Sequence, residues 1–204
     1  MRLKTGMRTY EQFLRNAADE GRSVNCLWEE GLFDVLGVTE EIAVPLATQG
    51  IPHEIIGGLA VLIHVEASGA ADGVMTADAD VLIRRCDLPR VIEITEENRF
   101  SGSGDLLKHA TFRAAVHLHF TGERSNDSQA MPNPEIGPTR LALHGLDVPV
   151  MRLHDLVLTR LNSERTIDRV SIRSMDAAGL ITADVEAALA EELRSRLQNI
   201  RDTE

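Results

Sequence analysis

The stretch Ile51–His64, IPHEIIGGLAVLIH, changes character once, at a pair of glycines. Residues 52 to 56 read as a short strand, and LAVLIHVEA, residues 59 to 67, reads as a helix by its length and content. Gly57 and Gly58 therefore sit at a strand-to-helix turn. A backbone without Cβ can approach a ligand closely there, and the first N–H groups of the helix are free to meet a phosphate. The same pair is equally natural as a tight turn that needs positive φ.

Downstream, after the small-residue loop SGAADGVM, comes Met75–Arg85, MTADADVLIRR. On a strand, residues i and i+2 face the same way, so Asp78 and Asp80 present two carboxylates side by side at the head of an apolar, β-branched run. Two like charges so close repel unless a cation lies between them. Hard oxygen donors at this spacing suit Mg²⁺, which keeps waters and takes one or two carboxylates plus substrate phosphates. The other reading is an exposed strand start whose aspartates are merely solvated. With the glycine turn, the pair makes one chemical proposal: a nucleoside triphosphate cradled by backbone amides and bridged to the protein through Mg²⁺. Arg84, on the same segment, is the candidate to meet the nucleotide's charge. Together with Arg85 and Arg90 it forms the best local basic patch, although a solvated strand end explains those arginines as well.

At 204 residues the chain suits one compact body: an α/β core over residues 1–150 with N-terminal helices, and a helical segment over 151–204 packed on it. A 43% hydrophobic and 26% charged composition is that of a globular protein. No apolar run reaches the length of a membrane span and the basic N-terminus has no apolar core behind it, so a cytoplasmic location is expected. Cys26 and Cys86 read as plain buried thiols rather than a disulfide framework. A net charge of −11 opposes broad binding to nucleic acid, and one Trp, one Tyr and five Phe leave little for base stacking.

Helices are expected over residues 9 to 20 and 39 to 49, the second interrupted or kinked at Pro45, and from Asp87 to about Asn98. Residues 106 to 120 read as extended, with AVHLHF the clearest strand. TGERSNDSQAMPNPEIGP, from Thr121 to Pro138, reads as a mobile loop or a lid. TRLALHGLDVPV looks like a hairpin, and three amphipathic helical segments follow, with Gly179 ending the second and Thr182 capping the third.

His117, His119 and Glu123 form HxHxxxE, a spacing shared with the first metal-binding motif of cupins and chemically suited to Zn²⁺, Fe²⁺ or Mn²⁺. The surrounding glycines of that motif are absent, and the helical C-terminal part opposes a β-rich cupin. Hydrogen-bonded histidines on a half-buried strand are the plainer reading. His53, His64, His109, His144 and His154 read the same way. No GxSxG, no P-loop and no Ser-His-Asp or Cys-His arrangement is visible.

IPHEIIGGLAVLIH followed by TADADVLI resembles the polymerase-β-like nucleotidyltransferases, and within them the small bacterial proteins related to the AbiEii toxins of type IV toxin–antitoxin systems. The run RLHDLVLTRLNSERTIDRVSIRSMDAAGLI is similar to that family's pattern of a basic residue, then Arg and Asp, then a helix ending in Gly-Leu-Ile. The resemblance implies an α/β (α+β) fold, a small mixed sheet flanked by helices. It also implies transfer of a nucleoside monophosphate from a triphosphate to a hydroxyl on RNA (tRNA among the candidates), protein or a small molecule, with a cognate antitoxin as a partner. Carried over by residue, Gly57 and Gly58 hold the triphosphate, Asp78 and Asp80 bind Mg²⁺, and Arg160, Arg165 and Asp168 take the basic, arginine and aspartate positions. Arg165 and Asp168 also read as an i, i+3 ion pair. His117 stands where the family carries a third carboxylate. An imidazole is a poor Mg²⁺ ligand, so His117 is either a proton acceptor or the mark of a fold that has lost catalysis and works as a nucleotide-binding or interaction module.

Overall fold

The computed structural model describes residues 26–70, 76–143, 145–163 and 165–203. The helix expected over residues 9 to 20 lies outside them, as do His144 and most of the loop before Asp78. The first described helix, α1, spans Cys26–Thr48 and runs through Pro45. It begins well before Thr39, the expected start. Thr39 lies mid-helix, its hydroxyl turned back onto the Val35 carbonyl at 2.7 Å, the local bond by which a helix interior tolerates threonine.

Strand β1 (His53–Ile56) leads into helix α2 (Gly57–Ala67), then come β2 (Ala79–Ile83), α3 (Leu88–Glu97), β3 (Phe100–Ser103), β4 (Leu106–His109) and β5 (Ala115–Phe120). The five strands form one mixed sheet in the order β1-β2-β5-β4-β3, with only the β2–β5 pair parallel. Residues 106 to 120 are thus two strands with a turn between them. The hairpin partner β3 carries serine or glycine at three of its four positions, which hides its strand character from a hydrophobic pattern. Cys86, expected to be buried, is exposed in the short helical turn after β2. A second, two-stranded sheet pairs β6 (Arg140–Leu143) with β7 (Leu146–Pro149), the expected hairpin.

Four helices follow: α4 (Leu153–Leu161), α5 (Thr166–Ala177), α6 (Ala183–Ala187) and α7 (Glu191–Asp202). The third expected helical segment is therefore two. An unbroken helix would hold Glu186 and Arg201 about 22 Å apart. The bend at residues 188–190 instead lets Arg201 reach Glu186 at 2.9 Å and Asp176 at 2.7 Å. Thr182 caps α6 through the Val185 amide.

On β5, Val116, Leu118 and Phe120 point into the buried side while His117 and His119 face the half-open side, the alternation of a strand with one covered face. Helices α1 and α3 cover the first side. Helix α2, buried continuously from Leu59 to Val65, lies between the sheet and α5. His64 on α2 sets its Nε2 2.8 Å from the Met151 carbonyl, and burial lowers its pKa, so it is a neutral core donor. No helix among the described residues is long and apolar enough to cross a membrane.

One core group is unusual. Glu54 of β1 is 1% exposed and accepts a 2.6 Å hydrogen bond from the Gly137 amide. Burial, with Asp155 adding, raises its pKa from 4.5 to about 7 against the pull of the Gly137 amide and Arg152. The folded state thus holds a proton that the unfolded chain releases near 4.5. The contribution of Glu54 to stability is fully present below that pH and is lost as pH rises through about 7, by roughly 3 kcal/mol at most. Glu54→Gln keeps an acceptor for Gly137 and removes the charge. Its melting temperature is expected to exceed wild type at pH 8, with the gap closing toward pH 4.5; a gap that ignores pH would contradict this account.

Candidate active site

Antiparallel pairing sets Ile56 opposite Asp80, and parallel pairing sets Asp80 opposite His117 and Leu82 opposite His119. The end of β1, the head of β2 and the open face of β5 therefore meet at one point. There the chain leaves β1 into α2 through Gly57, whose φ is +73°. A Cβ added at Gly57 would lie 1.9 Å from Asp80 Oδ2, so Asp80 rests directly against the glycine backbone. At Gly58 an added Cβ would come within 3.0 Å of Thr76, whose hydroxyl donates to the Asp78 carbonyl at 2.9 Å.

These residues open onto a cleft of about 570 Å³, a size that accommodates small ligands. One wall is acidic and imidazole-bearing. His119 Nε2 lies 2.9 Å from Asp80 Oδ1, His117 Nε2 lies 4.0 Å from Asp78 Oδ2, and the Ala115 amide donates to Asp78 Oδ1 at 3.3 Å. His119, not His117, makes the short contact with the acid pair. The sequence offers His119 only as a member of HxHxxxE and gives the place beside the acid pair to His117 alone.

The opposite wall comes from α4 and α5. Asp168 is fully buried and is bonded by the Arg160 guanidinium, by Arg165 Nε at 2.7 Å and by the Ser163 hydroxyl at 2.5 Å. Burial pushes its carboxyl pKa up, but the Arg165 and Ser163 hydrogen bonds and the Arg160 charge outweigh this and hold it below the ordinary range. Arg165 and Asp168 do form the i, i+3 pair, with its acidic member in the interior. Two guanidinium groups against one carboxylate leave surplus positive charge on this part of the cleft lining.

Between these walls stands part of the segment from Thr121 to Pro138. Ser125, Asn126, Gln129 and Asn133 line the cleft, with Gln129 and Asn133 buried. Asn133 Nδ2 donates to the Phe120 carbonyl at 3.1 Å, Gln129 Nε2 donates to Asn133 Oδ1 at 3.1 Å, and the Ser125 amide donates to Gln129 Oε1 at 3.0 Å. The segment is a cross-linked wall of amides.

Arg84 lies outside the cleft lining. At the far end of β2 it pairs with Asp87 at 2.6 Å. Arg85 stacks over Phe120 at 3.3 Å and donates to Glu123, which turns Glu123 away from His117 and His119. Among the described residues no group of three or more His, Cys, Asp or Glu is placed to hold a metal ion. The cleft instead offers two carboxylates and a glycine-bared helix start, a donor set that fits Mg²⁺ when phosphate oxygens and waters complete its shell.

No protein-family model and no curated protein matches the sequence. Among solved structures the chain is similar to the solution structure of the antibiotic-resistance factor ANT(2'')-Ia. The identity is 15% and the TM-score 0.48, over 79% of this chain and 90% of that one. It is also similar to the crystal structure of ANT(2'')-Ia in complex with adenylyl-2''-tobramycin, at 12% identity and TM-score 0.43, over 80% and 95% of the two chains.

Two substitutions probe how the site is built. Asp168→Asn removes the charge facing two guanidinium groups, one of them on the nearly buried Arg160, and is expected to cost about 3–5 kcal/mol in urea denaturation; a loss below 1 kcal/mol would show the pair to be dispensable. Gly57→Ala combines positive φ with a clash against Asp80 and is expected to cost about 1–3 kcal/mol. Gly58→Ala, at an ordinary φ, should cost less, and the reverse order would contradict the geometry at Asp80.

Proposed function

We propose that this protein is a nucleotidyltransferase, which moves a nucleoside monophosphate from a Mg²⁺-bound triphosphate to a hydroxyl. The observation that carries this reading is the packing of Asp80 against Gly57. It brings a carboxylate pair and the free amides of a helix start to one spot, as a metal-bridged phosphate requires. Asp78 and Asp80 would hold the ion, which when bound polarises the reacting phosphate and steadies the departing pyrophosphate. Gly57 and Gly58 let the α2 amides approach the phosphates, and Arg165, its guanidinium partly open to the cleft, meets their charge. The acceptor oxygen attacks the α-phosphorus, the bond to the bridging oxygen of the β-phosphate breaks, and pyrophosphate leaves. His117 and His119 stand beside the acid pair, where an imidazole can take the hydroxyl proton.

A second reading rests on His117. An imidazole where the AbiEii-related resemblance expects a third carboxylate suits a fold that binds nucleotide without transferring it, and His117→Asp would then restore transfer. The resemblance also extends the first reading to a toxin-like role, with an RNA or protein acceptor and an antitoxin partner.

Asp78→Asn tests both readings at once. In isothermal titration of the four triphosphates with and without Mg²⁺, wild type is expected to show Mg²⁺-dependent binding that the variant lacks. Binding to no triphosphate, or binding indifferent to the substitution, would sink the assignment.

A further inference from the structure

The cleft has a third wall that triphosphate and metal do not use. Ser125, Asn126, Gln129 and Asn133 all carry neutral groups that both donate and accept hydrogen bonds. This wall continues β5 itself: Asn133 is tied to the carbonyl of Phe120, the residue after His119, and to the backbone of Gly122 and Glu123. The wall and the two imidazoles line the same cleft, so a molecule lying against it shares that cleft with His119 and His117.

The charges lining the cleft are already committed. Its described acids are Asp78, Asp80 and Asp168. Asp168 is neutralised by Arg160 and Arg165, and Asp78 and Asp80 are the metal pair. A polycationic acceptor would find no remaining carboxylate among the described lining residues, and burying an uncompensated ammonium group is costly. A polyanionic acceptor such as RNA meets a protein of net charge −11, and no Phe, Tyr or Trp is among the described residues that line the cleft.

Resting on the nucleotidyltransferase reading, we propose that the acceptor is an uncharged polyhydroxylated small molecule of the sugar class. It would be seated on the amide wall, with one hydroxyl directed at the imidazoles.

The test uses the full chain, ¹⁵N-labelled, with Mg²⁺ and a non-hydrolysable triphosphate bound, followed by NMR of the Asn and Gln side-chain amides. Myo-inositol, trehalose and sucrose, each titrated to 20 mM, serve as neutral probes; tobramycin is the cationic probe and a short RNA the anionic one. At least one neutral probe is expected to shift the Asn126 and Gln129 side-chain amides saturably, while tobramycin and RNA leave them unmoved. Asn126→Asp keeps the acceptor that Ser128 uses at 3.0 Å and adds a negative charge. It should weaken the neutral probe at least threefold and create a measurable response to tobramycin. Shifts with tobramycin or RNA on wild type, or none with any neutral probe, overturn the proposal while leaving triphosphate binding intact. Failure of the triphosphate itself to bind overturns the enzyme reading beneath it.

Discussion

The contact on which this cleft depends is that between the Asp80 carboxylate and the bare Cα of Gly57. Strand pairing puts Ile56 opposite Asp80, so the next residue along must leave the sheet beneath a charged side chain. Any Cβ there would occupy the carboxylate's position. Glycine satisfies two demands together: the positive φ that turns a strand into a helix start, and the close approach that brings the helix amides to the acids. The contact is held from behind by apolar burial. Val81 to Ile83 are fully covered, as are Leu59 to Val65 on α2, so strand and helix have little freedom to slide apart. A site built on such elements keeps its geometry better than one carried on loops.

The electrostatic character of the cleft follows from a burial problem on its opposite side. Asp168 has no exposure, and an isolated carboxylate in that position would be strongly disfavoured. Arg160, Arg165 and the Ser163 hydroxyl resolve this with charge-assisted hydrogen bonds. Because the arginines outnumber the acid, their excess charge is directed toward the open side. The same cluster that stabilises the junction of α4 and α5 thereby makes the cleft bipolar, acidic at the sheet and basic at the helices. A phosphate chain with a divalent cation has that polarity.

The part of the fold legible in the sequence is the part where periodicity is strong. The strand-glycine-helix turn, the i, i+2 aspartates, AVHLHF and the β6–β7 hairpin all follow from local pattern. Strand β3 does not, because FSGS has a single large apolar residue and its strand character comes from pairing with β4. The break after α6 escapes for the opposite reason: residues 183 to 202 are good helix formers throughout, and the bend is decided by the ion pairs of Arg201. At the site, spacing alone placed the aspartates and glycines. Arg84 lies next to the β2 run in sequence, but it follows the far end of that strand and is outside the cleft lining. Nothing local distinguishes His119 from His117. The difference arises from the β2–β5 register and from side-chain reach across it.

The segment from Thr121 to Pro138 shows how loop composition and hydrogen-bonding chemistry are linked. Asn, Ser, Gly and Pro are disfavoured inside helices and strands because their side chains compete for backbone hydrogen bonds or their backbones do not fit. That bias makes such a run read as a loop. A loop lying against a core must still satisfy its polar groups, and the same side chains supply the bonds that a ladder would have made. Asn133 does so by joining the Phe120 carbonyl, the Ser125 hydroxyl and Gln129, and the result is a hydrogen-bonded surface without regular secondary structure. Amides that satisfy one another at the edge of a cleft also retain donor and acceptor capacity toward it, since each carries more hydrogen-bonding positions than its neighbours consume. Loop composition and a neutral recognition surface are therefore two consequences of one set of residues.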